Sequence, residues 1–181
     1  MTRFGWVMTT VFSATATVGA AFVNPLPKLI WNASASTPIG LYAVRPIGAL
    51  HATELVVVMP PEAVASFLAD GDYLPRGVPL MKRVLGLAGQ TVCREGRRIT
   101  VDHVEVGDAQ IRDRRGRDLP DWQGCRTLAT GEVFLMNPGV PNSLDGRYFG
   151  PLPTSSIVGR ATPFWTDEDG DGRFVWRPAT Q

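Results

Sequence analysis

Lysine is nearly absent from this chain of 181 residues. Eighteen residues are basic, and only Lys28 and Lys82 among them are Lys. Histidine and cysteine are as scarce, with two of each. His51 and His103 form no His-x-x-x-His pair, which excludes a helical zinc site of that type. No Gly-x-Ser-x-Gly elbow accompanies either His, so the usual Ser-His-Asp hydrolase layout is missing. Gly-x-Gly-x-x-Gly and Walker spacings are absent as well, which removes the common phosphate cradles and leaves no cofactor implied. Cys93 and Cys125 lie far apart in sequence, with no Cys-x-x-Cys and no nearby His, so they do not read as metal ligands. Charge of one sign is lacking too. The net charge is +1 with both signs interspersed, and no nucleic-acid partner is expected. The stretch from Arg94 to Arg117 is basic but broken by acidic residues, and reads as a solvated face.

What is present begins at the N-terminus. Phe4 to Val23 carries no charge, and twenty helical residues span about 30 Å, a bilayer core. Arg3 precedes the run, and Asn24-Pro25-Leu26-Pro27 ends any helix after it. The run therefore reads as a signal anchor over residues 1–24, although Ala14-Thr15-Ala16 and Val18-Gly19-Ala20 also suit a cleavage site. Either way residues 25–181 are expected outside the cytoplasm. An even cysteine count in that compartment suits one disulfide, Cys93–Cys125, with two separate thiols as the alternative.

The rest of the chain is rich in Gly and Pro and its apolar runs are short, which favours many short strands. Strands are expected at Leu41 to Arg45, Glu54 to Met59, around Lys82, Gln90 to Arg94, Arg97 to Val106, Glu132 to Met136, Ser156 to Ala161 and Arg173 to Trp176. One short helix is expected from Pro60-Pro61-Glu62 to about Ala69, and a surface loop from Gly107 to Gly124. The fold class is mainly β. Asp167-Glu-Asp-Gly-Asp-Gly172 copies the first half of a calcium loop but has Pro178 where a bidentate Glu is needed, so it reads as a polar turn.

With His-based chemistry excluded, the remaining hydrolytic pair is a Ser nucleophile and a Lys base. Arg cannot give up its proton at accessible pH, whereas a desolvated Lys can. Lys82 lies between Leu80-Met81 and Val84-Leu85, in an apolar strand whose alternation sends Arg83 to the other face. A Lys there is either a neutral amine or one that snorkels to water. Of the seven serines, Ser34 and Ser36 share one face if extended, so one can attack while the other donates to the oxyanion.

Three segments together carry a resemblance. Ser34-Ala-Ser-Thr-Pro-Ile-Gly-Leu-Tyr42, Leu80-Met-Lys-Arg-Val-Leu-Gly-Leu-Ala-Gly-Gln-Thr-Val92 and Asn142-Ser-Leu-Asp-Gly-Arg-Tyr-Phe-Gly150 resemble the boxes of the signal peptidase I superfamily, in the family's order. The resemblance implies an antiparallel β-sheet or barrel catalytic domain behind a transmembrane helix. It implies Ser36 as nucleophile, Lys82 as general base and Ser34 as hydroxyl donor of the oxyanion hole alongside the Ser36 backbone N–H. It implies supporting roles for Asp145 and Arg147. Ser36-Thr-Pro38 is one residue shorter than the family's Ser-x-x-Pro, and Ser-x-Pro-x-Gly-x-Tyr is similar to the conjugative-transfer, TraF-type branch. That branch implies a pilin-like precursor as substrate, the conjugative machinery as a partner, and the inner membrane with the catalytic domain in the periplasm as location. A general signal peptidase and a non-catalytic pilus-assembly scaffold are the alternative readings.

Overall fold

A computed structural model describes residues 2–21 and 28–178. The first element is a helix, α1 (Arg3–Ala21), whose side chains up to Gly19 stand almost wholly in solvent. Four threonines, a serine and two glycines dilute its hydrophobicity. Thr9, Thr10 and Thr17 turn their hydroxyls back onto carbonyls four residues earlier. No helix among the described residues is long and apolar enough to cross a membrane, so the transmembrane helix expected over this run does not follow from α1. The expected stop at Asn24–Pro27 lies outside the described residues, as does the junction between anchor and domain.

The remainder is antiparallel β. The main sheet contains β1 (Leu29–Asn32), β2 (Ile39–Arg45), β3 (Leu55–Val58), β4 (Leu80–Gly86), β9 (Glu132–Met136), β10 (Leu152–Pro153) and β11 (Ile157–Asp167), in the order β1-β2-β11-β3-β4-β9-β10. A short β12 (Val175–Trp176) pairs with β11. A second sheet of β5 (Thr91–Glu95), β6 (Arg98–Val101), β7 (Val104–Asp108) and β8 (Gly124–Thr127) runs in the order β7-β6-β5-β8. Helix α2 (Glu62–Asp70) follows Pro61, whose fixed φ and missing N–H suit the start of a helix. Helix α3 (Gly146–Phe149) is a single turn on the last motif.

Every residue of β3 is buried, in keeping with an uninterrupted Leu-Val-Val-Val run. Val56, Val58, Val84, Val133 and Leu135 form one core cluster of the main sheet. Tyr42, Val57, Met81 and Ala161 form another. The second sheet packs Val92, Ile99 and Val101 against Phe134, Met136 and Tyr148, joining the two sheets.

Three expected elements change. The single strand Arg97–Val106 breaks into β6 and β7, because Asp102 (φ 47°) and His103 (φ 66°) adopt the left-handed pair of a tight hairpin. Asp102 is fixed there by accepting from Thr91 N at 2.8 Å and Gln90 Nε2 at 2.7 Å. β11 continues to Asp167, well past Ala161, with a register shift between Pro163 and Trp165 that absorbs the proline. β12 keeps only two of the four residues expected of it. Arg94, expected on a solvated face, is buried: it donates to Arg147 O at 2.7 Å and pairs with Asp121 at 3.0 Å. Asp167 closes its turn by accepting from the backbone N–H groups of Asp171 and Gly172. Cys93 and Cys125 face each other across β5 and β8 and are joined, sulfur to sulfur, at 2.07 Å.

Candidate functional site

Ser34 and Ser36 lie in the turn between β1 and β2, not in an extended segment. Their hydroxyls nonetheless meet, Oγ to Oγ at 3.0 Å. The turn is built by Asn32, a buried residue at the end of β1. Its Nδ2 reaches the carbonyls of Ser34 (2.8 Å), Thr37 (3.0 Å) and Pro38 (3.1 Å) and the Thr37 hydroxyl (2.8 Å). Its Oδ1 accepts from Ser34 N at 3.1 Å and Ser34 Oγ at 2.9 Å. Tyr42 closes the loop from β2, donating to Pro38 O at 2.7 Å. Burial pushes that phenol up to about 12, so it remains a donor. Gly40 is obligatory beside the loop: a Cβ there would lie 2.3 Å from Trp165 O.

Lys82 is central in β4, between β3 and β9, and is 3% exposed. Burial lowers its pKa to about 8; Asp145 opposes that shift and Arg147 adds to it. The amine donates to Ser143 Oγ at 2.7 Å. No hydrogen bond joins Ser36 to Lys82 among the described residues, but both line one cavity of about 390 Å³ together with Ser34 and Ser143.

Asp145 and Arg147 form a buried two-pronged ion pair, Nε–Oδ1 and Nη2–Oδ2 both at 2.9 Å. Asp145 also caps α3 by accepting from Arg147 N at 3.2 Å, and accepts from Asn137 N at 3.1 Å. Arg147 gathers the loop before it, donating to Val140 O at 2.7 Å and Ser143 O at 3.1 Å. The pair thus touches Lys82 through Ser143, not directly. Gly146 allows α3 to press on β9, since a Cβ would sit 2.7 Å from Leu135 O.

Sequence reasoning gives Asn32 and Asn137 no role, and treats Ser143 only as a group that Asp145 could brace. Asn137 donates to Ser36 O at 2.7 Å and Met81 O at 3.1 Å, and accepts from Arg83 N at 3.1 Å. It therefore ties the serine turn to the backbone on both sides of Lys82. Ser143 stood within the third motif, two residues before Asp145, which was the one available signal. Asn137 is marked in the sequence only as a departure, Asn137-Pro138-Gly139 standing where the family has Gly-Asp-Asn, and nothing marks Asn32.

Ser36 also borders a second, larger groove of about 960 Å³ whose lining does not include Lys82. It is lined by Ile39, Tyr42, Leu55, Arg83, Pro138 and Ala161 among others. The serine thus sits on a ridge between two cavities. The arrangement offers a hydroxyl with a neighbouring hydroxyl donor, a desolvated amine within the same cavity, and a larger groove on which the serine also borders. Among the described residues, no group of three or more His, Cys, Asp or Glu is placed to hold a metal ion.

Residues 1–165 match the family described as signal peptidase, peptidase S26. The chain is 33% identical over 164 residues to a probable conjugal transfer protein TraF of Sinorhizobium fredii, covering 84% of each chain. It is 33% identical over 149 residues to a conjugal transfer protein TraF of Agrobacterium fabrum, covering 75% of this chain and 81% of that one. A solved structure of a signal peptidase I from Enterococcus faecalis superposes with a TM-score of 0.39 at 18% identity, covering 63% of this chain and 97% of that one.

Proposed function

The chain belongs to the signal peptidase family, peptidase S26, and from that premise we propose a serine endopeptidase in which Ser36 is the nucleophile and Lys82 the base, trimming a pilin-like precursor in conjugative transfer. The observation that carries the reading is a buried lysine amine, its pKa brought to about 8 by desolvation, opening into the cavity that Ser36 borders. Relatives named as conjugal transfer proteins over most of both chains support the conjugative setting. A signal peptidase I of Leptolyngbya laminosa matches over only 47% of this chain, which makes the general signal peptidase the weaker alternative.

In this mechanism neutral Lys82 takes the proton from Ser36 Oγ as that oxygen attacks the scissile carbonyl. The negative oxygen is received by the Ser36 backbone N–H and by the Ser34 hydroxyl, which turns from Asn32 to face it. Collapse of the adduct breaks the C–N bond, and the Lys82 ammonium gives its proton to the leaving amine. Lys82 then takes a proton from the water that cleaves the acyl-enzyme. Ser143 holds the amine in one direction through both halves, and the Asp145–Arg147 pair holds Ser143.

Location is part of the proposal. Helix α1 presents Phe4, Trp6, Val7, Val11 and Phe12 uncovered, and Trp31 and Trp176 are half exposed or more on the β1 and β12 side of the main sheet. Trp31, Trp165, Phe174 and Trp176 cluster there with centroids 4.9 to 6.4 Å apart. Uncovered aromatics of this kind suit a membrane boundary, so residues 1–24 tether the chain to the inner membrane and residues 25–181 work in the periplasm.

The test is cleavage of a purified pilin-like precursor with small residues before the cut. Wild type should release the trimmed product, while Ser36→Ala and Lys82→Ala, both folded, should not. A Lys82→Ala protein that cleaves at the wild-type rate removes Lys82 as base.

A further inference from the structure

The cavity holding Lys82 continues past the residues used so far. Its far wall comes from the polar loop between β7 and β8, with Gln110, Asp113, Arg114, Arg115 and Arg117, and from Asp72 and Tyr73 in the turn after α2. Three guanidiniums thus face a cavity that also contains the candidate base. Two of them are matched. Arg117 pairs with Asp113 at 2.7 Å, donates to Gly71 O at 2.8 Å and lies over the Tyr73 ring at 4.4 Å. Arg115 faces Asp72 at 3.7 Å.

Arg114 has no carboxylate partner among the described residues. With the Asn142 amide turned so that its oxygen faces the guanidinium, that oxygen accepts from Arg114 Nη2 at 2.6 Å and Nε at 3.2 Å. Asn142 precedes Ser143, which holds Lys82. Arg114, exposed to solvent and held by the Asn142 amide, is therefore a positive charge without a matching carboxylate in the lining of the cavity that contains Lys82.

The direction of the substrate follows from proton transfer. The base that strips Ser36 must afterwards protonate the leaving amine, so the leaving chain has to pass over Lys82. The 390 Å³ cavity contains Lys82 and the larger groove does not. Residues before the cut thus belong to the groove lined by Ile39, Tyr42 and Leu55, and residues after it to the arginine-walled cavity.

Resting on the Ser36/Lys82 reading, we infer that this cavity is the subsite for the segment following the scissile bond, and that Arg114 selects a carboxylate side chain one or two residues past the cut. A guanidinium is suited to that task, since its planar fork meets a carboxylate with two hydrogen bonds.

The probes are fluorescent peptides with Ala-x-Ala before the cut and Glu, Gln or Lys at the first or second position after it, offered to the full-length protein. Wild type should cleave a Glu peptide about tenfold faster, in kcat/KM, than its Gln counterpart at one of the two positions. The ratio should fall towards one in Arg114→Gln, turn in favour of Lys in Arg114→Glu, and shrink in high salt. Ratios within one variant are independent of how much of it is folded. A parallel arm measures binding of the same peptides to Ser36→Ala and to Ser36→Ala/Arg114→Gln by anisotropy. Arg114-dependent preference for Glu in binding, with no cleavage of any peptide by wild type, would sink the peptidase reading and leave Arg114 standing as a carboxylate-binding residue of this cavity. Equal handling of Glu and Gln peptides by wild type, or a Glu preference that survives Arg114→Gln, would overturn the subsite. Absence of both cleavage and binding preference would overturn both.

Discussion

Lys82 gives its hydrogen bond to Ser143 at 2.7 Å, while Ser36 keeps company with Ser34 at 3.0 Å. The amine and the hydroxyl proposed as nucleophile each meet a different serine, and both line one cavity. In the proposed mechanism, binding of a peptide is the event that completes the proton path. Catalytic hydrogen bonds commonly close only in the Michaelis complex.

Activity should rise with pH as Lys82 loses its proton, with half the maximal rate near pH 8. A kcat/KM profile over pH 6 to 10 checks this. Lys82→Arg keeps the charge and cannot deprotonate, so it should be as inactive as Lys82→Ala.

The same burial has a stability cost. The folded pKa lies below the ordinary 10.5, so the folded state holds fewer protons between about pH 8 and 10.5, and stability should rise with pH across that window. Below pH 8 the full cost of burying the ammonium is present, about 3 kcal/mol. Lys82→Met should therefore be inactive yet more stable at pH 7, by about 2 kcal/mol after losing the Ser143 hydrogen bond. Urea denaturation at pH 7 and pH 10 reads both effects: the gain should be smaller at the higher pH.

On the proposed mechanism, Ser34→Ala removes one oxyanion donor and should lower kcat on the order of 10²-fold with little change in KM. Asn32→Ala acts on the same turn indirectly. It frees the carbonyls of Ser34, Thr37 and Pro38 together, so it should lower both activity and thermal stability.

Arg147→Met leaves Asp145 buried and unpaired and should cost about 3 to 5 kcal/mol. A paired replacement of Asp145 and Arg147 by apolar residues should cost much less in stability, yet still lower kcat, because Ser143 loses its support. Thermal melts and precursor cleavage, taken together, separate the two effects.

Replacing Cys93 and Cys125 by Ser opens a loop spanning 32 positions and should cost about 3 to 4 kcal/mol on the chain-entropy account. The second sheet bears that loss, so hydrogen exchange should speed up first in β5 and β8.

Much of the strand framework was legible because apolar runs bounded by turn residues map onto short strands. Glu132–Met136 needed no revision. The break at Asp102-His103 was not legible, since neither residue is a Gly and the turn is held by the Asp102 carboxylate accepting from Gln90 Nε2 and the Thr91 backbone N–H at the start of β5. Of the site, the scarcity of lysine singled out Lys82 and the spacing of Ser34 and Ser36 paired them, while the family resemblance assigned their roles and supplied Asp145 and Arg147. The proximity of the two serines had a different cause from the one expected: a side-chain-built turn brings the hydroxyls together, where an extended strand would only have put them on one face. Asn32 and Asn137 work by satisfying backbone groups that are distant in sequence, and a one-dimensional pattern carries no trace of that.

The placement of β11 governs when the chain can become competent. β2 carries the serine turn and β3 flanks β4 with Lys82, yet β2 and β3 are joined only through β11, at residues 157–167. Gly40 opposes Thr166 in that pairing. A ribosome must therefore deliver nine-tenths of the polypeptide before the halves of the main sheet can be sutured. Contacts so remote along the chain form slowly. The nascent protein is thus an inert one for nearly its whole synthesis, and truncation before Ile157 should leave β2 and β3 as open edges, prone to self-association.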